Sequence, residues 1–413
     1  MTLPDRKYID KPFWAIFIAL ILVAILALFS AGSTLAYAED SALGPIAKHI
    51  CFIIGGVIVA YVVQLFPSWA VRMLGYVLLG ISILCLYLMI IPGSPFVVRI
   101  NDASRWFNLF GFQFQPSELA KLSLIIVVAD LMTRAKTEAG ITRAFWWTFA
   151  LTAVTCLPIM MGNLSTAILL GGVIFIMWWL AHVKWQYLVT LIVSLILFAV
   201  MGYFIVEFCY VRPQKPMHGP FSRAVTWVGR IDDKITDVQT DAKDFKITDD
   251  NYQSSHAKIA IARGGKSPFG VLPGNSHERD FLPLAYADYI FAIIVEETGV
   301  IGAILLCILY LCILFRACWA SSRYADYSAM LMVMGLALML TCQALVSMAV
   351  AVDLGVVTGQ PLPLISKGGT GVLITSAYFG VMMSVAREQN ELKARAQLAQ
   401  DEKLQNIPTI TLN

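Results

Sequence analysis

Apolar residues come in long blocks along this chain, and the blocks are too long for the interior of a soluble domain. A bilayer-crossing helix needs about 20 predominantly apolar residues. Ten stretches reach or approach that length: 13–31, 46–66, 70–92, 117–133, 144–161, 164–181, 185–208, 286–316, 328–352 and 363–386. The eighth is long enough to tilt or to project from the bilayer. One long polar segment, 209–287, separates the seventh block from the eighth; a shorter loop covers 93–116. The pattern predicts an all-α polytopic membrane protein with ten transmembrane helices and a large extracytoplasmic loop between helices 7 and 8. One membrane domain over 1–386 is followed by a cytoplasmic tail, 387–413, which extends the last span as a solvated, mixed-charge helix. The first block needs a distinction, because LAYAED at 35–40 resembles a signal-peptidase site after an apolar core. That core is longer than most signal sequences have, and a tenth span puts both chain ends on one side, so it reads as a retained helix.

Composition narrows the class. Apolar residues make up 58% of the chain and charged residues 14%, against about 25% charged in a typical soluble domain. A soluble enzyme is excluded. The net charge of +3 points to no nucleic acid partner. Six of the eight cysteines, Cys51, Cys85, Cys156, Cys307, Cys312 and Cys342, lie inside apolar blocks without zinc-like or disulfide-like spacing. They read as small core hydrophobes. Basic residues set the orientation. If the segments alternate, Arg6, Lys7, Lys11, Arg72, Arg134, Lys136, Arg143, Lys184, Arg316 and Arg323 all fall on one side. That side is the cytoplasmic one, in a cytoplasmic (inner) membrane, and both termini share it.

Three stretches carry candidate chemistry. In FLPLAYADYIFAIIVEETGVIG, 281–302, Asp288 closes the polar segment and opens an apolar run that holds Glu296 and Glu297. An acid at a membrane boundary is a functional candidate, and it is equally a candidate helix cap. Glu296 and Glu297 would each be costly at mid-bilayer, so at least one needs a partner. In RWFNLFGFQFQPSELAKLSLII, 105–126, Pro116 and Ser117 read as a helix start with Glu118 in the first turn, where the dipole favours an acid. Glu118 and Lys121 are i,i+3 neighbours, and Arg105 offers a fork suited to phosphate. The cluster is either a local salt bridge near an interface or a binding site. In PLPLISKGGTGVLITSAYF, 361–379, Ser366, Lys367 and Gly368 precede an apolar helix. The stretch is either a re-entrant turn that needs glycine for packing or an anion-binding helix start.

Together the three stretches resemble the SEDS family (shape, elongation, division and sporulation), whose members polymerise lipid II into glycan strands. Arg105-Trp106 with QPSE at 115–118, AYADYIFA with EETG, and PLPLISKGGT match the family's three motifs in order, over nearly the whole chain. GGKSPFGVLPGNSHERDFLP, 264–283, is similar to the division branch. The chain departs from the family pattern at Tyr286 and Ala287, usually His and Thr, at Lys367, usually Tyr, at Asp353, commonly Asn, and in MGNLSTA at 161–167.

The resemblance implies an inverting glycosyltransferase acting in septal wall synthesis. Asp288 would be the base on the acceptor sugar. Arg105, Glu118, Lys121, Ser366, Lys367 and Gly368 would line the substrate cavity. Undecaprenyl diphosphate leaves, with no protein metal site and a divalent cation (Mg or Mn) as an auxiliary. Implied partners are lipid II and the undecaprenyl diphosphate-linked glycan, a class B penicillin-binding transpeptidase, other division proteins and membrane lipids. Two other classes compete: a lipid-linked precursor flippase or transporter, and a non-catalytic scaffold for the transpeptidase.

Overall fold

The computed structural model describes residues 8–38, 43–91, 97–100, 103–109, 112–135, 137–211, 224–230, 247, 251–282, 288–324, 326–355, 359–366 and 369–405. Helices α1 (Lys11–Ala38), α2 (Leu43–Gln64) and α3 (Ser68–Leu88) precede three short strands, β1 (Val97–Ile100), β2 (Ala103–Leu109) and β3 (Phe112–Phe114). Then come α4 (Pro116–Thr133), α5 (Glu138–Gly162), α6 (Leu164–Leu180) and α7 (Trp185–Val206), which ends in a π-turn over Glu207–Val211. The polar segment contributes α8 over 224–230, α9 (Tyr252–Gly264) and a 3-10 turn at Glu278–Asp280. The chain finishes with α10 (Ile290–Ser321), α11 (Tyr327–Ala351) and α12 (Gly369–Gln405).

Eight of these helices are long and apolar enough to cross a membrane: α1, α2, α3, α5, α7, α10, α11 and α12. The ten-span layout requires α4 and α6 as well. Helix α6 has 17 residues, and α4 has 18 and carries Glu118, Lys121 and Asp130. Helix α12 continues to Gln405 with no break at 386.

Between lipid-solvated helices, association comes from close packing and polar contacts rather than from the hydrophobic effect. The pairing of α2 with α12 follows that rule. A Cβ on Gly380 would stand 2.9 Å from the Ala60 carbonyl, so only glycine permits the approach. Helix α1 joins the same face, with Phe17 packed at a tilt against Phe379 of α12 at 5.0 Å between ring centres. Helix α7 is the exception, since Leu188 and Val206 are its only buried residues and the run between them is exposed or half-exposed.

The two ends of the bundle differ. One end is tied by ion pairs: Arg72 and Arg134 to Asp130, Arg316 to Asp10, and Lys184 to Glu138. There Glu388 accepts hydrogen bonds from the Ser68 backbone N–H and hydroxyl at the start of α3, at 2.6 and 2.9 Å. The other end carries the strands, in antiparallel order β1-β2-β3, with Phe107 opposite Phe114. Phe107 packs on Cys85 and Met89 at the end of α3, which seats the sheet beside the start of α4.

At that second end, α10 is broken. Gly299 has φ 69° and ψ −166°. A regular helix would pair the Glu296 and Glu297 carbonyls with the N–H groups four residues on. Instead the Val271 N–H donates to Glu296 O and the Leu272 N–H to Glu297 O, both at 2.9 Å, and the Ile301 N–H donates to Pro268 O at 3.2 Å. The turn 268–272 thus supplies the backbone partners that the break removes. The contact is too close for side chains: a Cβ on Gly299 would lie 2.3 Å from Pro268 O, and one on Gly264 would lie 2.1 Å from Val295 O. Gly299→Ala combines this clash with an unfavourable positive φ and is expected to cost about 1–3 kcal/mol or more. Gly171→Ala, where a Cβ meets nothing within 4 Å, serves as the control and should change stability by no more than about 1 kcal/mol. Unfolding of both variants in detergent measures the difference, and equal effects would contradict the packing described.

Candidate functional site

The acids of the EETG stretch have defined partners. The Glu296 carboxylate accepts hydrogen bonds from the Ser276 hydroxyl, from His277 N–H at 3.1 Å and from Glu278 N–H at 3.3 Å. Glu297 accepts from Gly274 N–H at 3.0 Å. Both glutamates are buried, and charge-assisted bonds from backbone N–H groups are the kind that sustain a buried carboxylate. The sequence alone named no partner for them. The partners sit in PGNSHE, the stretch just before Asp288, folded back onto the helix that follows. Glu278 extends the arrangement: His256 Nδ1 of α9 lies 2.7 Å from its Oε2, and Arg263 Nη1 is 4.0 Å from Oε1.

Asp288 is half-buried and stands one residue outside α10, whose N-cap position is Tyr289 with no side-chain cap bond. Tyr289 is buried, and its hydroxyl is pushed up to about 12, first by burial, then by the negative charges of Asp288 and Asp353, with Arg230 opposing. Asp353 is itself paired with Lys258 of α9 at 2.6 Å. Asp353 follows the end of α11 and has φ 63°, a left-handed conformation that acids such as Asp tolerate better than most residues. Sequence reasoning missed Arg230 and Lys258, since each is one cation among many in a mixed-charge loop.

The second group is a buried polar chain. Lys121 is fully buried; its Nζ donates to Glu118 Oε1 at 2.6 Å and to Gln343 Oε1 of α11 at 2.7 Å. The Gln343 amide donates in turn to Pro361 O at 3.1 Å. Gln360 reaches Thr166 Oγ1 of α6, Tyr310 of α10 donates to Pro363 O, and the Ser366 hydroxyl accepts from Leu362 N–H at 2.8 Å. Glu118 and Lys121 thus form the salt bridge that their spacing allowed, and it reaches two further elements. Helix α4 begins at Pro116, as the sequence predicts. Ser366 is buried and closes its own turn. Lys367, Gly368 and the side chain of Arg105 lie outside the described residues; the Arg105 backbone belongs to β2. Among the described residues, no three His, Cys, Asp or Glu side chains are grouped to hold a metal ion.

A family model described as "Cell cycle protein", covering FtsW, RodA and SpoVE, matches residues 10–391. The chain belongs to this FtsW/RodA/SpoVE family. It is 25% identical to the peptidoglycan glycosyltransferase MrdB of Escherichia coli K12 over 384 residues, which cover 93% of this chain and 95% of that one. It is 27% identical to the probable peptidoglycan glycosyltransferase FtsW of Mycobacterium tuberculosis, covering 94% of this chain and 70% of the relative. Its fold is that of RodA of Thermus thermophilus, with TM-score 0.60, 24% identity and coverage of 92% and 97%. A chain of a peptidoglycan synthase complex superposes with TM-score 0.66 at 24% identity, covering 92% and 98%.

Within this FtsW/RodA/SpoVE chain, the stretches 105–126 and 361–379 are joined through Lys121, Gln343 and Pro361, and the stretch 281–302 is tied to α9 and the loop before it. The geometry gives them different chemistry. Asp288 is a half-buried acid just outside the head of α10, whereas Lys121 is a fully buried cation whose charge is already matched. Removing one member of a buried ion pair leaves an uncompensated charge and costs about 3–5 kcal/mol. Lys121→Met should therefore lower stability by that order. The double variant Glu118→Gln with Lys121→Met should recover a large part of the loss in denaturant unfolding. Additive losses would mean that the two side chains are not coupled in the fold.

Proposed function

We propose that this chain is a peptidoglycan glycosyltransferase that polymerises lipid II into glycan strands at the outer face of the cytoplasmic membrane, in septal wall synthesis. The family match and the relatives' names support the reaction class. FtsW relatives, together with the GNS stretch at 274–276, support the septal role. The single observation that carries the catalytic reading is the position of Asp288: outside the helix cap, half-buried, and next to Tyr289, on which Arg230 also acts.

In the proposed step the Asp288 carboxylate takes the proton of the acceptor sugar hydroxyl. The freed oxygen attacks the anomeric carbon of the growing strand from the face opposite the diphosphate. A new C–O bond forms there, and the bond from that carbon to the diphosphate oxygen breaks. Undecaprenyl diphosphate departs with the electron pair, and the configuration inverts. Negative charge grows on the leaving group, so fixed cations accelerate the step. Arg105 and Arg230 are the assigned cations. In this reading Glu118 and Lys121 hold the cavity wall through Gln343, and Ser366, Lys367 and Gly368 are assigned to substrate binding. A divalent cation on the substrate diphosphate would add to the same charge neutralisation.

Orientation follows the basic end of the bundle. Arg72, Arg134, Lys184, Arg316 and Arg323 make that end cytoplasmic, together with both termini. The sheet, α9 and Asp288 then face outward, where lipid-linked donors and a class B penicillin-binding transpeptidase are available. Ten helices, α1–α7 and α10–α12, would span the inner membrane.

Asp288→Asn tests the base directly, because Asn keeps the size and hydrogen-bonding capacity of the side chain but has no carboxylate to take a proton. With labelled lipid II and the transpeptidase partner present, polymer on gels should fall by about 10²–10⁴-fold while thermal unfolding is unchanged. Near-normal polymer would assign Asp288 to structure alone and favour a transporting or scaffolding protein.

A further inference from the structure

Helix α10 has 32 residues, about 48 Å at 1.5 Å per residue, which exceeds a hydrocarbon core of about 30 Å. Its surroundings change at the break. From Ile290 to Gly299 every residue is buried except the half-buried Thr298. From Val300 on, Val300, Ile301, Ile304, Leu305, Ile308, Leu311 and Phe315 are exposed. The stretch from Val300 to Trp319 spans about 30 Å, one hydrocarbon core. Arg316, Trp319 and Arg323 stack at its far end as an interfacial set, with the guanidinium carbons of Arg316 and Arg323 at 4.5 and 3.6 Å from the Trp319 ring. The near boundary of the hydrocarbon then falls at Gly299–Val300.

The turn 268–272 is hydrogen-bonded to α10 at that level, through Glu296, Glu297 and Ile301. Its two large apolar side chains do not face the protein: Phe269 is 64% exposed and Leu272 58% exposed. Leu272 has φ 72° and Gly270 has φ 66°. A bulky residue held at positive φ carries strain and persists only where its surroundings fix it. Here the Leu272 N–H is fixed by Glu297 O. Lys266, exposed just before the turn, stands where lipid phosphates would meet it.

We propose that the turn 266–272 is a membrane anchor: Phe269 and Leu272 insert among phospholipid acyl chains at the outer rim of the bilayer, continuing the lipid-facing strip of α10 that begins at Val300. The occupant is bilayer lipid because the turn is tied by backbone bonds to the place where α10 passes from protein to lipid. The anchor rests on the membrane-spanning fold and not on the catalytic reading. Its consequence for the site is positional. The same loop holds Glu296 through Ser276, His277 and Glu278, so anchoring fixes the height of the loop, and of the head of α10, relative to lipid-borne substrates.

The test is photo-crosslinking in nanodiscs of phosphatidylethanolamine and phosphatidylglycerol. Phe269→4-benzoylphenylalanine and Leu272→4-benzoylphenylalanine are compared with the same change at Asp280, whose side chain is 54% exposed on the 3-10 turn. Both altered apolar positions are at the surface, so the fold should survive, and thermal unfolding checks each variant. The anchor predicts phospholipid-mass adducts on peptides carrying positions 269 and 272, and none at 280. Lipid adducts at neither position, or crosslinks only to a second copy or to an added transpeptidase, would overturn it. Neither outcome bears on whether lipid II is polymerised, so failure of the anchor is distinguishable from failure of the enzyme.

Discussion

The end of the bundle that carries the sheet and α9 depends on a helix that stops hydrogen-bonding to itself. At Gly299 the α10 ladder is interrupted, and buried carbonyls and an N–H group in a membrane protein must find partners. They find them in the turn at 268–272. Once the turn is seated, the next residues of the loop are in place to bond the Glu296 and Glu297 carboxylates, which would otherwise be uncompensated charges inside the bundle. From there the connections run outward. Glu278 meets His256 of α9, and Lys258 of α9 meets Asp353 at the end of α11. Asp288, eight residues before Glu296, is held at the head of a helix whose position this chain of contacts fixes.

The opposite end is built for rigidity by other means. Ion pairs, the Glu388 cap on α3 and bonds from Ser384 and Arg387 to the Leu65–Phe66 turn lock α12 against its neighbours. Between the two ends, the chain Glu118–Lys121–Gln343–Pro361 couples α4, α11 and the turn before α12. That turn is also bonded to α6 and α10. A displacement of the 360–366 turn would therefore disturb four helices at once.

Much of this was legible in the sequence. Apolar blocks of about 20 residues located the long helices, although α1 and α12 run well past the blocks 13–31 and 363–386 and α5 starts well before 144, and Pro116 with Glu118 marked the start of α4 because proline and an acid both suit a first turn. The i,i+3 spacing of Glu118 and Lys121 allowed their pairing, but nothing in the spacing could supply Gln343, more than 200 residues away. The strands β1–β3 leave little signal because each is short and all three lie in the loop between two apolar blocks. The break in α10 was missed because EETG sits within an otherwise continuous apolar run. A signal did exist: GGKSPFGVLPG is rich in glycine, and Gly264, Gly270 and Gly299 meet backbone to backbone. Two stretches read separately are one structural unit, joined by contacts that carry no side-chain pattern. Arg230 and Lys258 left no signal at all, since their roles depend only on where the loop folds.

The most direct measurement is hydrogen–deuterium exchange of the backbone amides of Val271, Leu272 and Ile301 in the protein embedded in lipid. If the turn seals the broken helix, these amides should exchange as slowly as those in the middle of α11, and Gly299→Ala should accelerate all three together. Fast exchange at Val271 and Leu272 in the unaltered protein, comparable to that at exposed Asn275, would show that the loop does not hold the helix and that Asp288 is not positioned by it.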